Sequence, residues 1–196
     1  MSKRDINDGV YDEKTQLKLT LFKDCFAEWI PVFFNNKFIE SLYIMDLFSG
    51  SGGDKNNNLG SPLLLLNVLS KDYSYCKNST KLKLWFNDIS AEKIESLKCR
   101  VKETITKCEC SLPCPLYSQM KFTSFDFLEI IKSKHFETIL NNKKFGKFIL
   151  IDQYGIKFFT AKIFKKLMNS QSTDFICFYS SSTILRFAKQ GAIRKY

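Results

Sequence analysis

Between Tyr43 and Gly53 the chain reads YIMDLFSGSGG, an apolar run that ends on an acid and passes straight into a glycine-rich bend. A strand that carries Asp46 to its carboxyl end, followed by Gly50, Gly52 and Gly53, can turn sharply and bring its backbone close to a ligand. Open α/β sheets build nucleotide-sized recesses in this way. Spacing narrows the choice of ligand. A Walker loop requires G-x-x-x-x-G-K-[ST], but Gly50 and Lys55 are wrongly separated and Asn56 stands where the hydroxyl belongs. A dinucleotide fingerprint requires a third glycine where Lys55 is found, which makes NAD or FAD a weak reading. What is left is D-x-F-x-G-x-G, formed by Asp46, Phe48, Gly50 and Gly52, with a plain tight turn as the alternative.

The flanking periodicity places this segment in an alternating pattern. Strands are expected over Leu42–Phe48, Lys81–Asn87, Lys121–Phe125, Lys147–Asp152 and Asp174–Tyr179. Helices are expected from Thr15 to Phe34, Pro62 to Leu69, Ala91 to Ile105, Phe127 to Leu140 and Ile156 to Met168, with Ser61 capping the second through its hydroxyl and Pro62 in its first turn. Strand and helix in alternation predict an α/β fold, a Rossmann-like three-layer sandwich with a mostly parallel sheet. Asp46, Asp88, Asp126 and Asp152 each close a strand or follow one, so a parallel sheet gathers all four on its carboxyl edge. Taken singly, each is equally a turn former or helix cap.

At 196 residues the chain suits one domain, read as a flexible polar tail over 1–14 and a globular unit over 15–196. A hydrophobic content of 44% with 19 Phe points to a densely packed interior. No apolar run approaches the ~20 residues of a membrane span, and the polar start lacks a signal-peptide core, so a cytoplasmic protein is expected, with no membrane partner. Seven cysteines are then reduced thiols. Cys108, Cys110 and Cys114, with Cys99 upstream, do not have zinc-knuckle spacing, and the only histidine, His135, reads as a surface helix residue, so no metal site is assigned. A lone histidine also disfavours hydrolases built on a Ser-His-Asp triad. The net charge of +10 favours a nucleic-acid partner, although a lysine- and asparagine-rich bias (NNK, KNNN, NNKK) accounts for it equally well.

D-x-F-x-G-x-G is the pattern of class I S-adenosylmethionine-dependent methyltransferases, and the chain as a whole resembles the three-Cys-motif partner protein (TcmP) family, a group with a methyltransferase-like core. The resemblance rests on AEWIPVFF, YIMDLFSGSGG, the GSP that follows a long loop, the acid at FND, and FILIDQYG before DFICFYSS; it spans about Leu17 to Ala188. It implies S-adenosylmethionine as cofactor and a protein partner encoded nearby, more strongly than any substrate. By likeness to class I enzymes, Asp46 would order the amino group at the methionine end, and Gly50 and Gly52 would admit the methionine and ribose. Asp88 would accept from the ribose hydroxyls and Asp126 from the adenine amine, with Phe127 or Phe125 packing on the ring.

The segment Asp152-Gln153-Tyr154-Gly155 occupies the place of the methyl-acceptor motif, where Asp152 would hold a target amine and Tyr154 would stack on a flipped base. The resembled family has D-P-F-G, so Gln153 replaces a rigid proline. Two functions follow as expectations: a methyltransferase acting on nucleic acid, or a non-catalytic cofactor- or nucleic-acid-binding partner protein of a bacterial or mobile-element operon. Class I enzymes carry seven strands and only five are legible before Tyr196, which reads as a chain lacking the last strands.

Overall fold

The computed structural model describes residues 9–106, 114–153 and 158–179. Five strands, β1 (Ser41–Asp46), β2 (Leu82–Asn87), β3 (Met120–Thr123), β4 (Phe145–Ile151) and β5 (Thr173–Cys177), form one sheet in the order β3-β2-β1-β4-β5. Every pairing is parallel. Strand β1 is central, with Asp46 opposite Phe86 of β2 on one side and Leu150 of β4 on the other. The glycine bend therefore leaves the middle of the sheet, where the strand order reverses and open α/β sheets form their crevice.

Alternation along the strands divides the interior into two cores. Leu42 and Ile44, Leu84 and Phe86, and Phe148 and Leu150 face α1 (Glu13–Phe34), α2 (Ser61–Ser70), α3 (Tyr73–Lys77) and α4 (Ala91–Thr106). Met45 and Leu47, Trp85, and Ile149 and Ile151 face α5 (Phe127–Lys132), α6 (Lys134–Asn141) and α7 (Ala161–Met168). Strands buried on both faces need continuous apolar runs, and LKLWF and FILI supply them. The result is the expected three-layer α/β sandwich. None of the described helices is long and apolar enough to cross a membrane.

Several expected boundaries move, each for a local reason. The helix anticipated over Phe127–Leu140 is two helices, because Ser133 turns extended (φ −68, ψ 143) and its hydroxyl accepts from the Phe136 N–H at 3.2 Å, capping α6. The cap of α2 is Gly60, not Ser61; Ser61 is the first helical residue and its hydroxyl is used elsewhere. Thr160 caps α7, so that helix starts at Ala161, later than the expected Ile156; 154–157 lie outside the described residues. Helix α1 begins at Glu13, with Asp12 accepting from the Thr15 N–H at 2.8 Å, so the capped end of α1 reaches into the stretch read as a loose tail. Lys147 in β4 is fully buried, yet its ammonium reaches the carbonyls of Leu140 and Asn142 at the end of α6. Burial pulls its pKa down to about 8.

Candidate functional site

At the carboxyl edge of β1 the backbone turns through Gly50 (φ 60) and Gly52 (φ 86), left-handed conformations that favour glycine. The loop then returns so that the Gly60 N–H donates to the Gly52 carbonyl at 2.7 Å. Its two arms nearly touch: a Cβ on Gly60 would lie 2.9 Å from the Gly52 carbonyl carbon. Between them, Asp54 is buried and saturated. It accepts from the backbone N–H groups of Tyr11, Asn56 and Asn58 and from the Asn58 amide, at 2.7–2.9 Å.

Asp46 is also buried. Its Oδ1 accepts the Phe48 N–H at 3.2 Å and its Oδ2 the Ser61 hydroxyl at 2.6 Å, which is why Ser61 does not cap its helix. Burial pushes the carboxyl up to about 7, against the pull of those two bonds, and the nearby charges of Asp152 and Asp88 add to the rise. Asp88 faces the bend from β2. Its Oδ2 accepts the Gly50 N–H at 3.2 Å and its Oδ1 the Ser90 N–H at 2.9 Å. A carboxylate has about four acceptor positions, so roughly two remain for another donor.

The end of β2 is fixed by Asn87, which the sequence reading passed over. Its Oδ1 accepts from the Thr123 hydroxyl at 2.8 Å and the Phe125 N–H at 3.0 Å, and its Nδ2 donates to the carbonyls of Phe125 (3.0 Å) and Leu47 (3.4 Å). One buried amide thus ties the ends of β1, β2 and β3 together and sets the position of Asp88 next to it. Asn87→Leu, close in volume but unable to bond, is expected to cost about 2–4 kcal/mol in chemical denaturation, since four polar partners lose their bonds in a buried setting.

The remaining acids differ in their surroundings. Asp126 caps α5, accepting the Leu128 N–H at 2.8 Å. The side chain of Asp152 is gripped by Lys18 of α1, whose ammonium lies 2.9 Å from Oδ1 and 2.6 Å from Oδ2. Helix α1 therefore crosses the carboxyl edge at β4, and Lys18 also lies 5.3 Å from the centre of the Phe178 ring. Gln153 is turned inward, its Oε1 accepting the N–H groups of Phe158 and Phe159 at 2.9 Å each. Tyr154 lies outside the described residues.

The aromatic assignments also change. Phe127 is only 4% exposed and packs in the second core, its ring 5.1 Å from Phe48 and 6.4 Å from Phe158. It offers no free face to a ligand, and the ring of Phe48 is committed to the same group. Phe125, by contrast, is 52% exposed immediately before Asp126, and Ile89 is 72% exposed immediately after Asp88. These two apolar side chains leave the same edge of the sheet. Cys114 is buried in the first core, while Cys108 and Cys110 lie outside the described residues. His135 is exposed on α6, 5.5 Å from the Trp85 ring.

Asp46, Gly50, Gly52 and Asp88 are thus neighbours at the carboxyl edge of β1 and β2, with Asp152 in electrostatic reach of Asp46. Two further residues come in from distant parts of the chain. The Tyr11 N–H donates to Asp54 Oδ2 at 2.8 Å, and the Arg100 guanidinium of α4 donates to the Asp54 carbonyl at 3.3 Å.

No family model matches this chain, and no curated protein matches it. Among solved structures it is similar to an S-adenosylmethionine-dependent methyltransferase from Agrobacterium tumefaciens (12% identity, TM-score 0.39, covering 73% of this chain and 32% of that one). It is likewise similar to an rRNA methylase from Streptococcus thermophilus (8% identity, TM-score 0.41, covering 87% and 79%). The chain spans about a third of the first of these.

Proposed function

We propose that this chain binds S-adenosylmethionine at the recess between β1 and β2 and transfers its methyl group to a nucleic-acid base. The observation that carries the reading is Asp88 facing the glycine bend: its carboxylate accepts the Gly50 N–H and keeps acceptor capacity for ribose hydroxyls. Gly50 and Gly52 adopt the left-handed conformations that turn the backbone sharply at this edge, and the exposed Ile89 and Phe125 give apolar cover for a flat ring. Asp46, buried and in the field of two other acids, is suited to a cationic partner. The cofactor would supply an already activated methyl group on a sulfonium, so the residues of this chain need only bind, orient and exclude water. The net charge of +10 suits an acceptor carried on a polyanion.

A second reading, cofactor binding without transfer in a partner protein of a neighbouring gene product, is favoured by one feature. The acid in the acceptor position, Asp152, already has both oxygens engaged by Lys18, and Gln153 is used to hold the following turn. The two readings share the pocket and differ in turnover. Calorimetric titration with S-adenosylhomocysteine is expected to give micromolar binding to the native chain and at least a tenfold loss in Asp88→Ala, since two charge-assisted hydrogen bonds go. Absence of heat from the native chain sinks both readings. Labelled methyl incorporated into RNA or DNA, and lost in Asp152→Ala, selects the first; tight binding without incorporation selects the second.

A further inference from the structure

The amino edge of the sheet, opposite the glycine bend, carries a band of cations and rings that the readings above leave without a role. On the face of β2 and β3 toward α6, Lys83 and Trp85 stand two residues apart and so share a side, and Trp85 lies opposite Lys121 in register. The Lys121 ammonium is 4.3 Å from the centre of the Trp85 ring, and His135 of α6 lies 5.5 Å from the same ring. Trp85 is fixed in place by the bond from its Nε1 to the Thr123 hydroxyl at 2.7 Å, and Lys83 donates to the Gln119 amide oxygen at 2.6 Å.

Toward β1 the band continues through Tyr43, the register partner of Lys83, whose ring centre is 4.9 Å from that of Phe145. Beside Phe145, Lys144 pairs with Glu40 at 2.6 Å and its carbonyl accepts the Glu40 N–H at 2.8 Å, which fastens the turn that presents Phe38. Within that turn Asn36 Oδ1 accepts the Phe38 N–H at 2.9 Å, and the Asn36 carbonyl accepts from the Ile39 N–H at 3.2 Å and the Lys81 ammonium at 3.0 Å. On this well-tied turn Phe38 is 87% exposed, the most exposed large apolar side chain among the described residues.

The way these cations are held sets them apart from other lysines of the chain. Lys18, Lys23 and Lys98 are paired with carboxylates. Lys83 and Lys121 have neutral partners, an amide oxygen and an indole face, and no carboxylate pairs with either among the described residues, so they keep their whole charge toward solution. Their field is felt locally: burial, with the Lys121 charge adding to it, pulls the His135 pKa below its usual value. The one carboxylate that a described contact ties into the band, Glu40, is neutralised by Lys144. Uncompensated cations beside an exposed ring match a polymer that offers a phosphate and a free base face at every unit, whereas an acidic peptide offers only the charge.

We infer that this amino-edge band, with Phe38 as the stacking residue and Lys83 and Lys121 as phosphate contacts, is a docking surface for single-stranded nucleic acid. It rests on the reading of a nucleic-acid acceptor but not on the cofactor: β1 is six residues, about 20 Å, long, so a strand docked here is a different stretch of the polyanion from the base presented at the glycine bend.

Fluorescence anisotropy of the full chain with a labelled oligouridylate of about 15 nucleotides tests this. Lys83→Gln combined with Lys121→Gln should lower affinity by roughly tenfold or more and reduce the slope of log affinity against log salt by about 1.4, the share of two phosphate contacts on a single strand. Phe38→Ala should weaken binding by about fivefold to a hundredfold with the slope unchanged, the range of one lost base stack. Both variants should keep the native circular dichroism spectrum and the native affinity for S-adenosylhomocysteine. Oligouridylate binding that survives both variants overturns this surface and leaves the nucleic-acid acceptor standing. A loss in the lysine variant with none in Phe38→Ala reduces the band to a non-selective basic patch and overturns the inference as well. Polyglutamate that competes as well as the oligonucleotide, charge for charge, assigns the surface to an acidic protein partner instead. Absence of oligouridylate binding to the native chain removes this surface and the nucleic-acid acceptor together, while the titration with S-adenosylhomocysteine decides the cofactor site on its own.

Discussion

Asp46→Asn is expected to melt roughly 10 °C above the native chain at pH 8, an unusual gain for a change at a candidate site. Asp46 is buried and its carboxyl is pushed from 3.8 up to about 7, chiefly by loss of hydration. Between those values the folded state holds a proton that the unfolded chain has released, so stability falls as the pH rises from about 4 to about 7 and stays low above that. The rise from 3.8 to about 7 corresponds to up to about 4 kcal/mol. Asparagine removes the charge and keeps both partners, since an amide can accept from the Phe48 N–H and donate to the Ser61 hydroxyl. The difference between variant and native melting temperatures should therefore be near zero at pH 4, grow to pH 7 and then level off. A variant less stable than the native chain at pH 8 would refute the assignment. The gain in stability should come with a loss of function: the variant should bind cationic S-adenosylmethionine more weakly, and native affinity for that cation should rise with pH as Asp46 ionises through about 7.

The second large effect lies in the bend itself. A Cβ on Gly60 would lie 2.9 Å from the carbonyl carbon of Gly52, 3.0 Å from its oxygen and 3.2 Å from the Gly53 nitrogen, all backbone atoms of the facing arm. No side chain can rotate to relieve this, so Gly60→Ala must open the 2.7 Å bond from the Gly60 N–H to the Gly52 carbonyl and move Gly52 with it. A cost of about 1–3 kcal/mol in urea denaturation is expected, with a fall in S-adenosylhomocysteine affinity of more than tenfold if the proposed site is correct, since Gly52 lies two residues from Gly50, which bonds to Asp88. Gly146→Ala is the control. Its Cβ would meet the side chains of Leu42 at 2.6 Å and Phe33 at 3.2 Å in the first core, so it should lower stability without changing affinity. A Gly60→Ala chain that binds normally would show that the two arms are not coupled.

The parts of the molecule that were legible in the sequence are those dictated by local period. Short apolar runs separated by helical spacing point to the sheet and its two covers, and the acid-then-glycine ending of β1 marks the bend at its carboxyl edge. What failed was decided by individual side-chain contacts, some near in the chain and some far along it. Ser61 before Pro62 has the local form of a cap, but Asp46, fifteen residues earlier, takes its hydroxyl. Ser133 interrupts no hydrophobic period, so the break between α5 and α6 leaves no mark in the pattern and depends on the side chain capping its own backbone. Phe125 and Phe127 are indistinguishable by type, and only the turn between β3 and α5 decides which faces water. Tyr11 and Arg100 reach Asp54 across separations of 43 and 46 residues, and no motif announces either.

Helix α1 has a consequence for biosynthesis. Its rings at Phe22, Phe26 and Trp29 all pack on Phe148, 5.2–5.9 Å away, and Trp29 Nε1 donates to Asp174 at 2.9 Å. Helix α1 is thus completed by strands made more than a hundred residues after it. Until β4 is made these rings lack the partner they pack on, so the contacts that complete α1 are among the slow, non-local ones of this fold.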